Sequence, residues 1–350
     1  MTPWPEGQLD IVEHCPLCHS PERIVLHEGL TDRIFFSAPG RWTLYRCTQC
    51  LCAYLDPIPS QASIALAYQN YYTHGADPSS TFWLKRLKQS LLNDYLNARY
   101  GSSLSPHSPL GRWIIPLFFP LKNKADMQVR HLPYASGTAK ALADIGCGNG
   151  DFLALATRLG WDVWGTDLDP TAVEFVRRRG SRVQCSGLPD TGLPSRHFDY
   201  VTLSHVIEHV PDPRATLQEM RRILKPGGRL WVSTPNLDSF GHEHFGRHWR
   251  GLEPPRHLVL FTQATLIQLL EEQGFTHLTV HPPEVPSRWL YQSSERIRQG
   301  KDPYDPQAGS LSAALSLRSL LADLRVLFLT SGRSEFLTIS AQCPPSDPDS

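Results

Sequence analysis

From about residue 138 the chain alternates short apolar runs with amphipathic stretches. Ala141–Ile145, Asp162–Thr166, Arg182–Cys185, Tyr200–Ser204 and Arg229–Ser233 each read as a buried strand. Between the first two, Phe152, Leu155, Ala156 and Leu159 fall on one helical face and the pattern stops at Gly160. Pro170 opens a second helix that runs to Gly180, and Asp212 followed by Pro213 caps and opens a third. That third helix buries Leu217, Met220 and Leu224 and ends at Lys225-Pro226-Gly227-Gly228. A helix over 262–273, a strand over 277–281, helices near 287–299 and 310–328 and a last strand over 335–341 complete the pattern. Strands alternating with helices predict a doubly wound α/β sheet over residues 138–342, with a frayed tail at 343–350.

Residues 58–137 read as a helical linker or cap. Ile64, Ala67 and Tyr71 lie at helical spacing, and Leu84, Leu87, Leu91 and Tyr95 form a stripe. The stretch from Gly101 to about Lys124 reads as a loop, although it holds Trp113-Ile114-Ile115-Pro116-Leu117-Phe118-Phe119. This patch and the Leu-rich stretch 311–329 are expected to pack against the sheet. Tyr71 and Tyr72 are expected in the core of a segment, Tyr68–Gly75, that is placed to close over the main domain.

Hydrophobic residues make up 41% of the 350, which excludes global disorder. Lys plus Arg and Asp plus Glu both number 34. A neutral chain has no bulk attraction to phosphate backbones, so a small molecule is the expected partner and nucleic acid is not. No apolar run reaches the roughly 18 residues of a membrane span, and no strongly basic face is evident, so membrane contact is not expected. The first ten residues lack a basic and apolar leader pattern, and a cytoplasmic location is the expectation.

Five of the eight cysteines lie between Cys15 and Cys52. Cys15-Pro16-Leu17-Cys18 and Cys47-Thr48-Gln49-Cys50 are two C-x2-C knuckles separated by 28 residues, which suits a tetrahedral zinc ribbon over residues 11–57. Metal would tie together a segment too small for its own core, so its expected role is structural. Cys52 and His19 are read as non-ligands.

Asp144-Ile145-Gly146-Cys147-Gly148-Asn149-Gly150-Asp151 joins the first strand to its helix. Glycines there let the chain turn tightly and let a ligand reach backbone N–H groups. Asp167 ends the second strand 21 residues after Gly146, where a carboxylate can accept both hydroxyls of a ribose. Together they point to an adenosine-bearing cofactor. The stretches DIGCGNGDFL, WGTDLDPTAV, FDYVTLSHVIEHVPDP and LKPGGRLWVSTPN resemble the class I S-adenosylmethionine-dependent methyltransferases over residues 138–342. The resemblance implies strand order 3-2-1-4-5-7-6, with the last strand antiparallel. It also implies Asp144, Gly146, Cys147, Gly148 and Gly150 around the methionine and ribose, Asp167 on the ribose hydroxyls, and Leu168, Gly187 and Leu188 at the adenine. Ser204 is placed beside the cofactor at the end of the fourth strand.

Methyl transfer to a neutral hydroxyl needs a proton acceptor, and six histidines lie between His205 and His257. The Pro255-Arg256-His257-Leu258 segment resembles that of methyltransferases encoded with polysaccharide and glycolipid assembly enzymes. Zinc-bearing sugar C-methyltransferases carry a catalytic His in a similar place, which makes His257 the expected base. His205 and His209 follow the fourth strand, where the sequence resembles ubiquinone-type O-methyltransferases. Their E-x-x-E-H cluster can hold magnesium, but here the first acid is His205. The expected function is methyl transfer from S-adenosylmethionine to a sugar or glycan-precursor hydroxyl. An RNA methyltransferase and a cofactor-binding scaffold without turnover are the alternatives.

Overall fold

Strand Ala141–Ile145 is buried along its whole length, as a run of small and branched apolar residues bounded by a glycine turn dictates. It is an inner strand of the largest of three sheets in the computed structural model, which describes residues 2–69, 82–133, 140–283, 285, 287–305 and 311–345. Tyr71, Tyr72 and the end of the C-terminal tail lie outside the described residues.

The N-terminal part holds β1 (Leu9–Asp10), β2 (Arg23–Leu30), β3 (Trp42–Cys47), β4 (Ala53–Leu55) and β5 (Ile58–Pro59). A 3-10 turn at Ile64–Tyr68 and helices α1 (Phe82–Tyr100), α2 (Gly111–Ile114) and α3 (Phe119–Gln128) follow. The α/β part then contributes β6 (Ala141–Ile145), α4 (Asp151–Arg158), β7 (Asp162–Asp167), α5 (Pro170–Arg178), β8 (Arg182–Cys185), β9 (Phe198–Ser204), α6 (Pro213–Ile223) and β10 (Leu224–Pro235). It ends with α7 (Phe240–Phe245), β11 (Val259–Leu260), α8 (Gln263–Glu272), β12 (Thr276–Val280), α9 (Arg288–Arg298), α10 (Ala313–Phe328) and β13 (Phe336–Gln342).

The main sheet runs β12-β13-β10-β9-β6-β7-β8. Strands β6 to β10 are mutually parallel where they pair, and β13 is antiparallel to both β10 and β12. The chain leaves β6 toward β7 on one side, then returns to β9 on the other. A topological switch point therefore opens at the carboxyl ends of β6 and β9, where open α/β sheets bind ligands. The helices start where their caps dictate: the Asp169 carboxylate accepts from the Thr171 N–H and that of Asp212 from the Ala215 N–H.

Two expectations are corrected. The stretch 101–124 is not a plain loop, because Pro116 and Pro120 sit in first turns, where their missing N–H is tolerated, and helices form there. Much of its apolar patch is not packed inward: Trp113 is 72% and Leu117 80% exposed. Helix α10 likewise leaves Leu317, Leu320 and Phe328 exposed. The N-terminal module shares a sheet with the main domain. The smaller sheet runs β11-β4-β3-β2, so the segment around His257 supplies its edge strand.

Candidate active site

The glycine loop lies at the switch point. Gly146, Gly148 and Gly150 have φ of 69°, 51° and 73°, in the left-handed region that glycine favours. A Cβ on Gly146 would lie 2.6 Å from Val206, and one on Gly150 2.7 Å from Val176, so these two also permit close packing. A Cβ on Gly148 would meet no protein atom within 4 Å, so its backbone borders open space. The Asp167 carboxylate accepts from the Gly148 N–H at 2.8 Å and the Asp169 N–H at 2.9 Å. Each oxygen keeps a further lone pair, so both can accept from ribose hydroxyls. Leu168 stands beside it 71% exposed, with Gly187 so close that a Cβ there would lie 2.8 Å from its side chain. An exposed apolar side chain beside a bare backbone is a platform for a flat ring. Leu188 is half-buried next to it, and Ser204 is half-buried at the end of β9. Cys147 offers only backbone: its side chain is buried, with Sγ 2.9 Å from where a Cβ on Gly165 would stand, and burial pushes its thiol pKa up.

Beside the loop, Asp144 is fully buried. Its Oδ1 accepts from Thr202 Oγ1 at 2.8 Å and pairs with Arg130, while its Oδ2 has no partner. Burial raises the Asp144 pKa against the pull of Arg130. An orphaned buried carboxylate oxygen next to a glycine loop fits a ligand's ammonium group.

The three expected histidines surround Glu208. His205 is the exposed one, with φ 55°, and its Nδ1 lies 3.4 Å from Glu208 Oε1. The other oxygen of Glu208 accepts from Thr234 Oγ1 at 2.9 Å. Burial would raise the pKa of Glu208, but His205, His209 and His257 together hold it down to about 2, so it is a carboxylate. His209 and His257 stack edge to face with ring centroids 4.7 Å apart. The His209 Nδ1 lies 3.0 Å from the Arg256 carbonyl, and the His257 Nδ1 2.7 Å from the Gly251 carbonyl. Carbonyls only accept, so we assign the proton of both rings to Nδ1, which leaves each Nε2 a lone pair. One ligand atom from each of Glu208, His209 and His257 lies within 4.8 Å of the others. By donor chemistry this trio can hold a divalent cation. His257 itself is buried, and burial lowers its pKa to about 4, which makes it a weak base at neutral pH. The linker reaches this site through Tyr68, whose hydroxyl lies 3.1 Å from His209 Nδ1.

The ligand sulfurs of Cys15, Cys18, Cys47 and Cys50 lie within 4.8 Å of one another. The Cys15–Cys50 and Cys18–Cys47 contacts measure 3.6 and 3.5 Å, near the ~3.8 Å that a tetrahedron with 2.3 Å zinc–sulfur bonds requires. Both knuckles close alike: His19 N–H donates to Cys15 and Leu51 N–H to Cys47, with His19 and Leu51 in the left-handed region. The four thiols therefore fit zinc. Cys52, expected apart from the set, is buried with its sulfur 3.4 Å from that of Cys15.

Residues 120–280 match a family profile described as a methyltransferase domain. The chain carries a methyltransferase domain. The chain is 32% identical to the ubiquinone biosynthesis O-methyltransferase of Xanthomonas oryzae pv. oryzae, over 155 positions that cover 38% of this chain and 65% of the relative. Its counterpart in Xanthomonas campestris pv. campestris is 31% identical over the same shares. The chain thus spans just under two thirds of the curated relatives' length. Among solved structures, a methyltransferase from Archaeoglobus fulgidus aligns at TM-score 0.43 and 21% identity, over 63% of this chain and 93% of that one. A possible histamine N-methyltransferase from Thermotoga maritima aligns at 0.40 and 18%, over 67% and 94%.

Several residues that shape the methyltransferase domain's site escaped the sequence reading. Arg130 precedes the matched glycine motif, and only its pairing with Asp144 and its stacking on Phe152, 3.8 Å from the ring centroid, identify it. Glu208 was visible as the acid of the H-x-x-E-H stretch, but its role as the hub of three imidazoles was not. Glu253 and Arg256 flank His257 in the sequence. The Arg256 guanidinium, fully buried, binds Glu253 and, across the module boundary, Asp32. An arginine amid apolar and proline residues was the available signal.

Proposed function

We propose that the methyltransferase domain transfers a methyl group from S-adenosylmethionine to a hydroxyl of a small polar acceptor, a sugar or glycan precursor, and that zinc in the Cys15–Cys18–Cys47–Cys50 set is structural. Bound S-adenosylmethionine supplies a methyl already activated on a sulfonium. The observation that carries this reading is the pairing of the open Gly148 backbone with Asp167 and the exposed Leu168, a cradle for a nucleoside. Asp144 and Arg130 face the amino-acid end of such a ligand, one offering an acceptor and the other a charge. His205 takes the hydroxyl proton, because it is exposed at the strand end and Glu208 orients its ring, leaving Nε2 outward. His209 and His257 stand beside Glu208, where their Nε2 lone pairs and its carboxylate form the donor set open to a cation. The buried His257 is the weaker candidate for the base.

A second reading is favoured by the relatives' name: a phenolic hydroxyl on a quinone precursor, served by the same His205–Glu208 pair. The deciding experiment has two steps. Calorimetry should show S-adenosylmethionine and S-adenosylhomocysteine binding at micromolar levels, and no heat with either would overturn the cofactor assignment. Transfer of labelled methyl should then be measured to nucleotide-linked sugars, catechol-type phenols and RNA. Turnover only on phenols selects the second reading, and turnover only on RNA overturns both. Binding without turnover on any acceptor leaves a scaffold.

A further inference from the structure

Neutral overall, the chain is not neutral everywhere. Residues 82–128, the α1–α3 cap, carry seven Lys or Arg against two acids. Both acids are turned inward: the Asp94 side chain is 1% exposed and paired with Arg112, and that of Asp126 is 3% exposed and paired with Lys122 and Arg99. The outside of the cap is therefore basic. A groove on it, with a cavity of about 600 Å³, is lined by Arg86, Lys88 and Lys124 over Leu92 and Leu121, with no acid on its walls.

Next to this groove the cap projects large apolar side chains. Leu110, Trp113, Leu117, Phe118 and Phe119 are 58%, 72%, 80%, 55% and 43% exposed. They cluster on one short stretch held rigidly, since α2 sits on α1 at Gly111, where a Cβ would stand 1.9 Å from the Leu91 carbonyl. Phe118 also holds the start of α3, its carbonyl accepting from the Leu121 and Lys122 N–H groups. A protruding apolar and aromatic tip beside a basic groove matches the chemistry of a membrane interface: rings and leucines enter the acyl boundary while cations meet anionic headgroups.

We propose that the α1–α3 cap is a docking surface for an anionic lipid bilayer, with Leu110, Trp113, Leu117, Phe118 and Phe119 entering the bilayer and Arg86, Lys88 and Lys124 taking headgroup phosphates. The occupant follows from charge and apolarity together. A second copy would bring one basic face against another in a two-fold pair. Nucleic acid would satisfy the cations but leaves Leu110 and Leu117 in water. The proposal is independent of the acceptor and of the cofactor.

The test is co-sedimentation of the full chain with vesicles of phosphatidylcholine alone and of phosphatidylcholine with about 30% phosphatidylglycerol. Binding should favour the anionic vesicles at least tenfold and fall with added salt. The double variant Leu117→Ser/Phe118→Ser should lose at least tenfold in partitioning, and Lys124→Glu about as much. All these side chains are at the surface, so unchanged circular dichroism and melting temperature are expected and confirm that each variant is folded. Equal binding by wild type and folded variants, or no binding to anionic vesicles, overturns the proposal. So does either of two substitutes for vesicle binding: retention of a single-stranded RNA oligonucleotide, or a concentration-dependent dimer, in each case lost on Phe118→Ser.

Discussion

Arg256 grips Asp32 in a two-point ion pair in which neither side chain is exposed, with Nη2–Oδ1 at 2.6 Å and Nη1–Oδ2 at 3.1 Å. Its Nη1 also donates to the Ala67 carbonyl at 2.7 Å, and its Nε to Glu253 at 3.1 Å. Asp32 belongs to the N-terminal module and Arg256 to the segment that carries His257, so this pair fixes the module on the methyltransferase domain. Asp32→Ala leaves a buried guanidinium short of its partner and should cost about 3–5 kcal/mol in urea unfolding. The Asp32 carboxyl is held below its ordinary pKa by Arg256 and backbone N–H groups, which outweigh the burial that opposes them. Its contribution is therefore complete above the unfolded carboxylate value of about 4 and is lost as pH falls below it. In Asp32→Ala that part of the acid sensitivity should disappear.

The module's metal and the active-site segment should be coupled. β11 pairs with β4, and the Leu55 N–H donates to the Leu258 carbonyl at 3.0 Å, next to His257. Metal analysis is expected to give about one zinc per chain, removed by Cys15→Ser or Cys47→Ser. Amide exchange in the zinc-free variants should then rise across Leu258–Phe261 as well as in the knuckles. Loss of zinc with unchanged exchange at Leu258–Phe261 would separate the two parts.

Much of this architecture was legible in the sequence, for a physical reason. A strand buried on both faces must be a largely apolar run, so Ala141–Ile145 could be read to the residue, whereas the edge strand Arg182–Cys185, with only Val183 buried, was bounded by its flanking turn residues. Caps such as Asp169-Pro170 and Asp212-Pro213 act locally and are also written locally. What stayed hidden depends on contacts between distant residues. Arg256 and Asp32 are 224 positions apart, and no spacing rule connects them. The helices of 111–128 hide behind prolines that mark both loops and first turns. Exposure is also hidden, because Trp113 and Leu117 look like core residues until the fold leaves them outside. At the site, motif position does not carry burial, which separates the exposed His205 from the buried His257.

The glycine loop separates binding from stability. Gly146→Ala should lower stability by about 1–3 kcal/mol, since its Cβ would stand 2.6 Å from Val206 at a positive φ. Gly148→Ala meets no protein neighbour and should unfold at nearly the wild-type urea concentration, less the roughly 1 kcal/mol of its φ. Its effect should fall on S-adenosylhomocysteine affinity instead. Asp167→Ala should weaken that affinity by about ten- to a hundredfold in calorimetry, the scale of two lost charge-assisted hydrogen bonds.

The histidines should divide by substitution. His205→Ala is expected to cut turnover by about a hundredfold or more with cofactor affinity unchanged, and Glu208→Gln should reduce it through loss of ring orientation. His257→Ala should show up first as lost stability, because its ring fills a buried site and holds the Gly251 carbonyl. If instead His257→Ala removes turnover at full stability while His205→Ala does not, the base is His257.

Glu335 offers a pH test away from the chemistry. Its carboxylate is buried, accepts from the Gly241 N–H at 2.7 Å and Trp249 Nε1 at 2.9 Å, and has no cationic partner among the described residues. Burial raises its pKa to about 7 against those hydrogen bonds. The folded value thus exceeds the unfolded one of about 4.3, and between the two the folded state binds more protons. Stability must fall as pH rises through this window and level off above it. Glu335→Gln keeps the shape but cannot ionise, and its single carbonyl oxygen retains one of the two accepted hydrogen bonds, a loss that does not vary with pH. Relative to wild type it should gain about 3 kcal/mol between pH 4 and pH 8 in urea unfolding, a shift of roughly 2–3 pK units converted at 1.36 kcal/mol each. Parallel pH profiles for the two proteins would mean that Glu335 ionises in the fold as easily as in water.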